Sequence, residues 1–294
     1  MPNWNTLLDE LQETGGPHDV ILRKYLRQLN ELTGRNVIVY YSGWLQKPRA
    51  YSLEINDNDK TGFMTTVHEL DKTKGLDLLL HTPGGDAAAT ESIVNYLREI
   101  FGNDIRAIVP EIAMSAGTMI ACACKSILMG KHSSLGPIDP QFYSLPAHGI
   151  IEEFKRAMEE CSSDPSKIPI WQTIISKYNP TLLGECQKAI DWSVEMVKEW
   201  LETGMFTGKA DAPQKIAKII EELGSHALTK SHSRHISAKK CKEFGLEVEY
   251  LEDDQKLQEA VLSVHHTCIH TLMSTSASKI IINHNGRAFI LNSQ

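Results

Sequence analysis

The 294-residue sequence contains no apolar run near the ~20 residues that a helix needs to cross a bilayer, which argues against a membrane-spanning segment. Its first stretch, "MPNWNTLLDE", has no basic segment leading into an apolar one, so no secretory signal is legible. The expectation is a cytoplasmic protein with no membrane association indicated. The six cysteines (Cys122, Cys124, Cys161, Cys186, Cys241, Cys268) show no paired framework, which suits reduced, packed thiols in a cytoplasm. Basic residues form no stripe and the net charge is −7, which excludes a general binder of nucleic acid or anionic membranes. Internal repeats, low-complexity tracts and a clear linker are absent too. What remains is ordinary for a soluble globule, 41% hydrophobic and 23% charged. At roughly 100–200 residues per domain, it has the length of one large domain with or without an appendage.

Periodicity supplies the organisation. Ile21, Leu22, Tyr25, Leu26, Leu29 and Leu32 repeat at helical spacing up to Gly34. "RNVIVYYSG" reads as a strand, "DNDKTGFMTTVHEL" as a helix, "GLDLLLH" as a strand and "DAAATESIVNYLREIFG" as a helix. "DIRAIVP", "SAGTMIACA" and "SILMG" continue as strand, helix and strand. This alternation predicts βα units and a largely parallel sheet. Beyond residue 150 the chain turns helical, with a long amphipathic stripe from Leu182 to Leu201 and further helices at "APQKIAKIIEELG" and "KLQEAVLSVHHTCIHTL". "AKKCKEFGLEVEYLE" reads as helix, glycine cap and strand, and "KIIINHNGRAFIL" as a hairpin turning at Asn285-Gly286. "ECSSDPSKIP", residues 160–169, is the expected mobile loop, and 142–180 an expected flap. The domain reading is an N-terminal helical segment over 1–34, a catalytic domain over 35–255, and a C-terminal helix and hairpin extension over 256–294.

Two junctions carry chemistry. In "LLLHTPGGDAAAT" a strand ends, Pro83-Gly84-Gly85 turns the chain, and Asp86 is placed to cap the next helix. Backbone N–H groups there can hold a developing oxyanion, although an ordinary capped turn explains the stretch equally well. "IVPEIAMSAGTMIACACK" puts one serine, Ser115, at a second strand-to-helix junction. The bland reading is a buried hydroxyl bonded to its own backbone. The sharp one is a nucleophile, favoured by the helix dipole and the free N–H of Ala116. The small residues Ala116, Gly117, Ala121 and Ala123 let that helix approach the glycine turn. One hydroxyl and one anion hole on neighbouring βα units are the minimum for acyl transfer through a serine ester.

"HTPGGDAAATESIV", "AMSAGTMIA" and "SSLGPIDPQ", in this order and spacing, resemble the ClpP/crotonase superfold. Within it, the chain is similar to the serine dehydrogenase proteinase family, relatives of signal peptide peptidase A. The resemblance implies an α/β fold of stacked ββα units in a superhelix, here with a helical second half, and a serine peptidase acting on peptide or protein substrates. It assigns Ser115 as nucleophile and Gly85 and Ala116 as oxyanion-hole donors. Pro83, Gly84 and Met114 are expected along the substrate cleft, and His81 either lines it or simply ends its strand. The resemblance further implies a homo-oligomer and no metal, nucleotide or organic cofactor.

The general base is less direct. Where Clp peptidases carry a histidine, this chain has Asp139, as an orienting group or simply a turn residue. Relatives of signal peptide peptidase A use a lysine, which needs burial to become a neutral base. Lys177, at the end of an apolar run and before the long helix, is the preferred candidate over Lys155 and Lys167. His132 is a weaker alternative. His226, His232 and His235 are distal bases if the fold returns them, and surface histidines otherwise. His266, Cys268 and His270 share a helix, but matching ligands for a metal are not evident. Three rivals remain: a crotonase-like acyl-CoA enzyme with Asp139 or Glu111 as base, an α/β-hydrolase read from "AMSAG", and an inactive Clp-fold scaffold.

Overall fold

The computed structural model describes residues 18–142, 145–225 and 231–293. The start of the expected N-terminal helical segment and His226 lie outside the described residues. The first described element is α1 (His18–Thr33), closed by Gly34 in left-handed backbone at φ 67°. The predicted alternation follows as β1 (Asn36–Ser42), α2 (Asp57–Val67), β2 (Leu76–His81), α3 (Ala87–Phe101) and β3 (Ile105–Val109). It continues with β4 (Ile112–Ala113), α4 (Ala116–Cys122), β5 (Ser126–Met129) and β6 (Ser134–Leu135). A two-residue ribbon, β7 (Gln141–Phe142) and β8 (Leu145–Pro146), leads into α5 (Ala147–Ser163), α6 (Ile168–Ile175), α7 (Leu182–Thr203) and α8 (Ala212–Gly224). Then come β9 (Ile236–Ser237), α9 (Ala238–Phe244), β10 (Val248–Tyr250), α10 (Gln255–Ser274) and the hairpin β11 (Ala277–Asn283) and β12 (Ala288–Asn292).

The main sheet has seven strands in the order β10-β5-β3-β2-β1-β11-β12. The first five are parallel, and the hairpin adds the last two antiparallel. Both faces are covered, which is why β1 and β2 are buried end to end and read as nearly unbroken apolar runs. Side chains alternate between two cores. Ile38, Tyr40, Leu78, Leu80, Ala107 and Val109 pack among residues of α2, α3, α4 and α7. Val37, Val39, Tyr41, Leu79, Ile108 and Leu128 pack against α1 and α10. α10 and the β11–β12 hairpin are thus built into one covering layer and the main sheet.

Two buried charge clusters pin this sheet. Asp77 of β2, fully buried, takes Arg35 and Arg106 at 2.7 Å each. Lys279 of β11 and Asp59 of α2, both fully buried, pair at 2.8 Å, and the Tyr40 hydroxyl donates to Asp59 at 2.8 Å. Burial pushes the Lys279 ammonium pKa down and the Tyr40 phenol pKa up.

A second, small sheet positions the site. Its order is β4-β6-β9, with β4 and β6 parallel and β9 antiparallel. Thr82, just past β2, bridges Ala113 of β4, so the exits of two neighbouring long strands meet there. A long strand, a short strand and a helix in succession, as in β3-β4-α4, form one ββα unit. The expected mobile loop at 160–169 is instead a tight helical connection. α5 reaches Ser163, Asp164 accepts the Ser166 N–H at 3.1 Å, and α6 starts at Ile168. α5 and α7 share a small core of Ala147, Ile150, Leu182, Cys186 and Ile190. All six cysteines are free, five of them buried and Cys161 half-buried. Among the described residues no helix is long and apolar enough to cross a membrane.

Candidate active site

Ser115 occupies the junction between β4 and α4 with φ 50° and ψ −119°, a backbone conformation that L-residues with a side chain rarely adopt. Three contacts hold it there. Met114 donates its N–H to Thr82 O at 3.0 Å, Gly117 donates to Met114 O at 2.7 Å, and the Thr118 hydroxyl donates to Ala113 O at 3.0 Å. The side chain is half-buried and makes no capping bond. Among the described residues the hydroxyl has no hydrogen-bond partner, so the reading of a backbone-bonded core serine fails.

The glycine turn lies directly against it. A Cβ on Gly84 would stand 2.6 Å from Ser115 Cβ and 2.9 Å from Ala116 N, so only glycine permits this approach; its φ of 95° has the same requirement. Gly85 is held by strand-like pairing to Ile55. Ile55 donates to Gly84 O at 2.8 Å and Asp86 donates to Ile55 O at 2.9 Å. A Cβ on Gly85 would collide with the Ile55 backbone. Because the bonds to Ile55 come from residues 84 and 86, the N–H of Gly85 faces away from that partner. Among the described residues, neither Gly85 N–H nor Ala116 N–H has a protein acceptor. Asp86 caps α3 as expected, accepting the Ala89 N–H at 2.7 Å.

A cleft of about 420 Å³ opens beside this junction, lined in part by Pro83, Met114, Glu111, His132, His232 and His235. Of the residues expected along it, Pro83 and Met114 line it, whereas Gly84 and His81 are buried and do not. His81 is enclosed by Trp44 and Tyr41, with ring centroids at 4.5 and 5.1 Å. Burial lowers its pKa to about 3.

Asp139 is fully buried, and its Oδ1 lies 2.9 Å from His232 Nδ1, across 93 residues of chain. The fold therefore returns one of the three distal histidines to the position where the sequence shows only a carboxylate. The signal for it was Asp139 itself, a charged residue in an apolar turn. The lysines behave otherwise. Lys177, just beyond α6, and Lys155, on α5, are exposed, and half-buried Lys167 pairs with Glu160 at 3.4 Å. The burial that the lysine expectation required is absent at all three.

Residues 23–261 match the family described as ClpP-like SDH-type serine proteinase. Among curated proteins, the chain is 30% identical over 231 residues to Uncharacterized protein MJ0137 of Methanocaldococcus jannaschii, covering 77% of this chain and 72% of that protein. It is 34% identical over 173 residues to Uncharacterized protein MJ1495 of the same organism, covering 59% of this chain and about half, 51%, of that one.

Proposed function

Because the chain belongs to the ClpP-like SDH-type serine proteinase family, we propose that it hydrolyses peptide bonds in peptide or protein substrates through Ser115, His232 and Asp139. The observation that carries this reading is a serine hydroxyl on strained backbone, beside the N–H groups of Gly85 and Ala116, none of the three having a hydrogen-bond partner among the described residues. Ser115 Oγ attacks the substrate carbonyl carbon while its proton passes to His232. The carbonyl oxygen becomes an oxyanion held by Gly85 and Ala116 N–H groups. Asp139 holds the imidazole by its Nδ1, leaving Nε2 for the proton. Collapse of the intermediate expels the amine, which takes that proton, and leaves an acyl ester on Ser115. A water that gives its proton to His232 then attacks the ester and frees the serine. No step uses a metal or organic cofactor.

This reading replaces the Ser-Lys arrangement with a histidine base, supported by the buried Asp139 partner and the exposure of Lys177. An acyl-CoA enolate chemistry would leave the strained serine idle, so the peptidase is preferred. A homo-oligomer is part of the same proposal, supported by the family's fold, and so is a cytoplasmic setting, supported by the six free cysteines.

A fluorophosphonate probe with a fluorogenic peptide panel tests it. Wild type is labelled, Ser115→Ala is not, and His232→Ala is labelled about 10²–10⁴ times more slowly, the usual contribution of a general base. Lys177→Met keeps the wild-type rate. If Lys177→Met abolishes labelling and His232→Ala does not, the base assignment is wrong. If Ser115→Ala is labelled like wild type, the peptidase reading falls.

A further inference from the structure

One cluster beside the cleft has no part in that chemistry. His81 ends β2, Glu111 sits between β3 and β4, and His265 is on α10. Their ligand atoms all lie within 4.8 Å of one another. Glu111 Oε2 is 3.5 Å from His81 Nδ1 and 3.6 Å from His265 Nε2. Neither separation is a hydrogen bond. Both are close to the edge of a metal tetrahedron, since bonds of about 2.0–2.1 Å set ligands about 3.3 Å apart.

We propose that His81, Glu111 and His265 bind a divalent transition-metal ion of the zinc class, facing the cleft through Glu111. The inference does not depend on the peptidase reading.

His81 is fully buried, yet neither ring nitrogen has a hydrogen-bond partner among the described residues. An apolar residue would fill that space without leaving buried nitrogens unsatisfied, so the imidazole calls for a ligand. His265 is already oriented. Its Nδ1 lies 3.0 Å from the Tyr41 hydroxyl, which leaves Nε2 toward Glu111. A second hydrogen bond of this kind is what metal-bound histidines use to fix tautomer and ring angle. Burial keeps both imidazoles neutral, the form that ligates. Glu111, with 45% of its side chain exposed, supplies the negative charge and the path for an ion from the cleft. Two imidazoles and one carboxylate select zinc, cobalt or a similar ion over magnesium or calcium, which prefer all-oxygen sites. With three protein ligands the fourth position belongs to water or a group entering from the cleft.

The test is zinc titration of chelator-stripped full-length protein against a chromophoric chelator, with cobalt substitution as a spectroscopic check. Wild type should take up one zinc per chain, and the cobalt form should show the intense visible bands of a low-coordinate site. His81→Asn, His265→Gln and Glu111→Gln should each weaken binding at least roughly 100-fold, and Tyr41→Phe by about 10–100-fold. His235→Ala, in the cleft but outside the triad, should retain it. Circular dichroism verifies folding; where a buried-histidine variant unfolds, Glu111→Gln, on the half-exposed side chain, decides. Absence of a stoichiometric site in wild type overturns the proposal, and so does zinc binding that survives in folded Glu111→Gln or in either folded histidine variant.

Discussion

At the residue scale, the informative feature of Ser115 is its backbone. Sparsely populated φ/ψ regions cost of order 1–3 kcal/mol, and they persist only where the surroundings enforce them. Thr82, Gly84 and Gly117 enforce this one, by two backbone bonds and by the absence of side chains between the loops. Glycine adopts φ 50° without that cost, and among the described residues the hydroxyl makes no bond that would be lost. Ser115→Gly should therefore raise the unfolding free energy by about 1 kcal/mol, the strain relief less glycine's greater unfolded-state entropy. It should also abolish probe labelling. Urea denaturation beside Ser115→Ala separates the two effects, since alanine removes the hydroxyl and keeps the strain. A Ser115→Gly protein less stable than Ser115→Ala would mean that the backbone there is not strained.

At the scale of elements, α2 is fixed to the sheet by a pair that tolerates no half-measures. Removing Lys279 alone leaves Asp59 buried beside Tyr40 with its charge uncompensated. Lys279→Met should cost about 3–5 kcal/mol, and combining it with Asp59→Leu and Tyr40→Phe, which removes the hydroxyl that donates to Asp59, should recover most of it, because a well-packed apolar cluster commonly replaces a buried ion pair. Equilibrium unfolding of the wild type and both variants measures this; a combined variant as unstable as Lys279→Met would show that the pair does more than satisfy itself. The β11–β12 turn carries a titration of its own. Val37 donates its N–H to His284 Nδ1 at 3.2 Å, and burial holds the imidazole pKa below its ordinary value. The unfolded chain therefore takes up the proton first as pH falls. The neutral histidine contributes stability above its unfolded pKa of about 6.5, and that stability is lost on acidification toward the folded value. Wild type should lose stability between pH 7 and 5 more steeply than His284→Gln, whose carbonyl still accepts; parallel profiles would remove the role assigned to His284.

These elements also show what a sequence makes legible. β1, β2 and β3 are apolar runs bounded by turns, and α1, α3 and α7 carry long stripes, so periodicity finds them. β4, β6 and β9 are two residues each, too short to have a period, yet they form the sheet that aligns Ser115 with Gly84. The serine and the glycines could be read because each sits at a junction with its own local signal. His232 could be named only as one of three distal histidines, because only the fold carries it across 93 residues to Asp139. Lys177 is exposed, which the apolar run before it does not announce. His81 and His265, 184 residues apart, reach the same carboxylate only because α10 packs over the sheet near the end of β2.

At the scale of the whole molecule, the main domain buries its apolar residues in two cores, and the surface that remains unusual is the cover made by α5 and α6. Met158, Ile168, Ile170 and Leu145 stand 65%, 47%, 63% and 47% exposed, and a groove of about 380 Å³ lined by Leu145, Ile150, Phe154 and Tyr178 lies beside them. Scattered apolar residues need no explanation, but several large ones on one short connection do. In the homo-oligomer proposed above, a second copy of this chain would cover this surface, including Ile168 and Ile170 of α6. Light scattering should then give a mass above that of the monomer, and Ile170→Asp with Ile174→Asp should shift it to smaller species while circular dichroism stays unchanged. If the wild type is monomeric, or if the double variant assembles as before, the cover is not the subunit contact. Its apolar side chains would then have to meet substrate or lie bare in water, and the peptide panel separates these by whether the same double variant loses turnover of long substrates while keeping that of short ones.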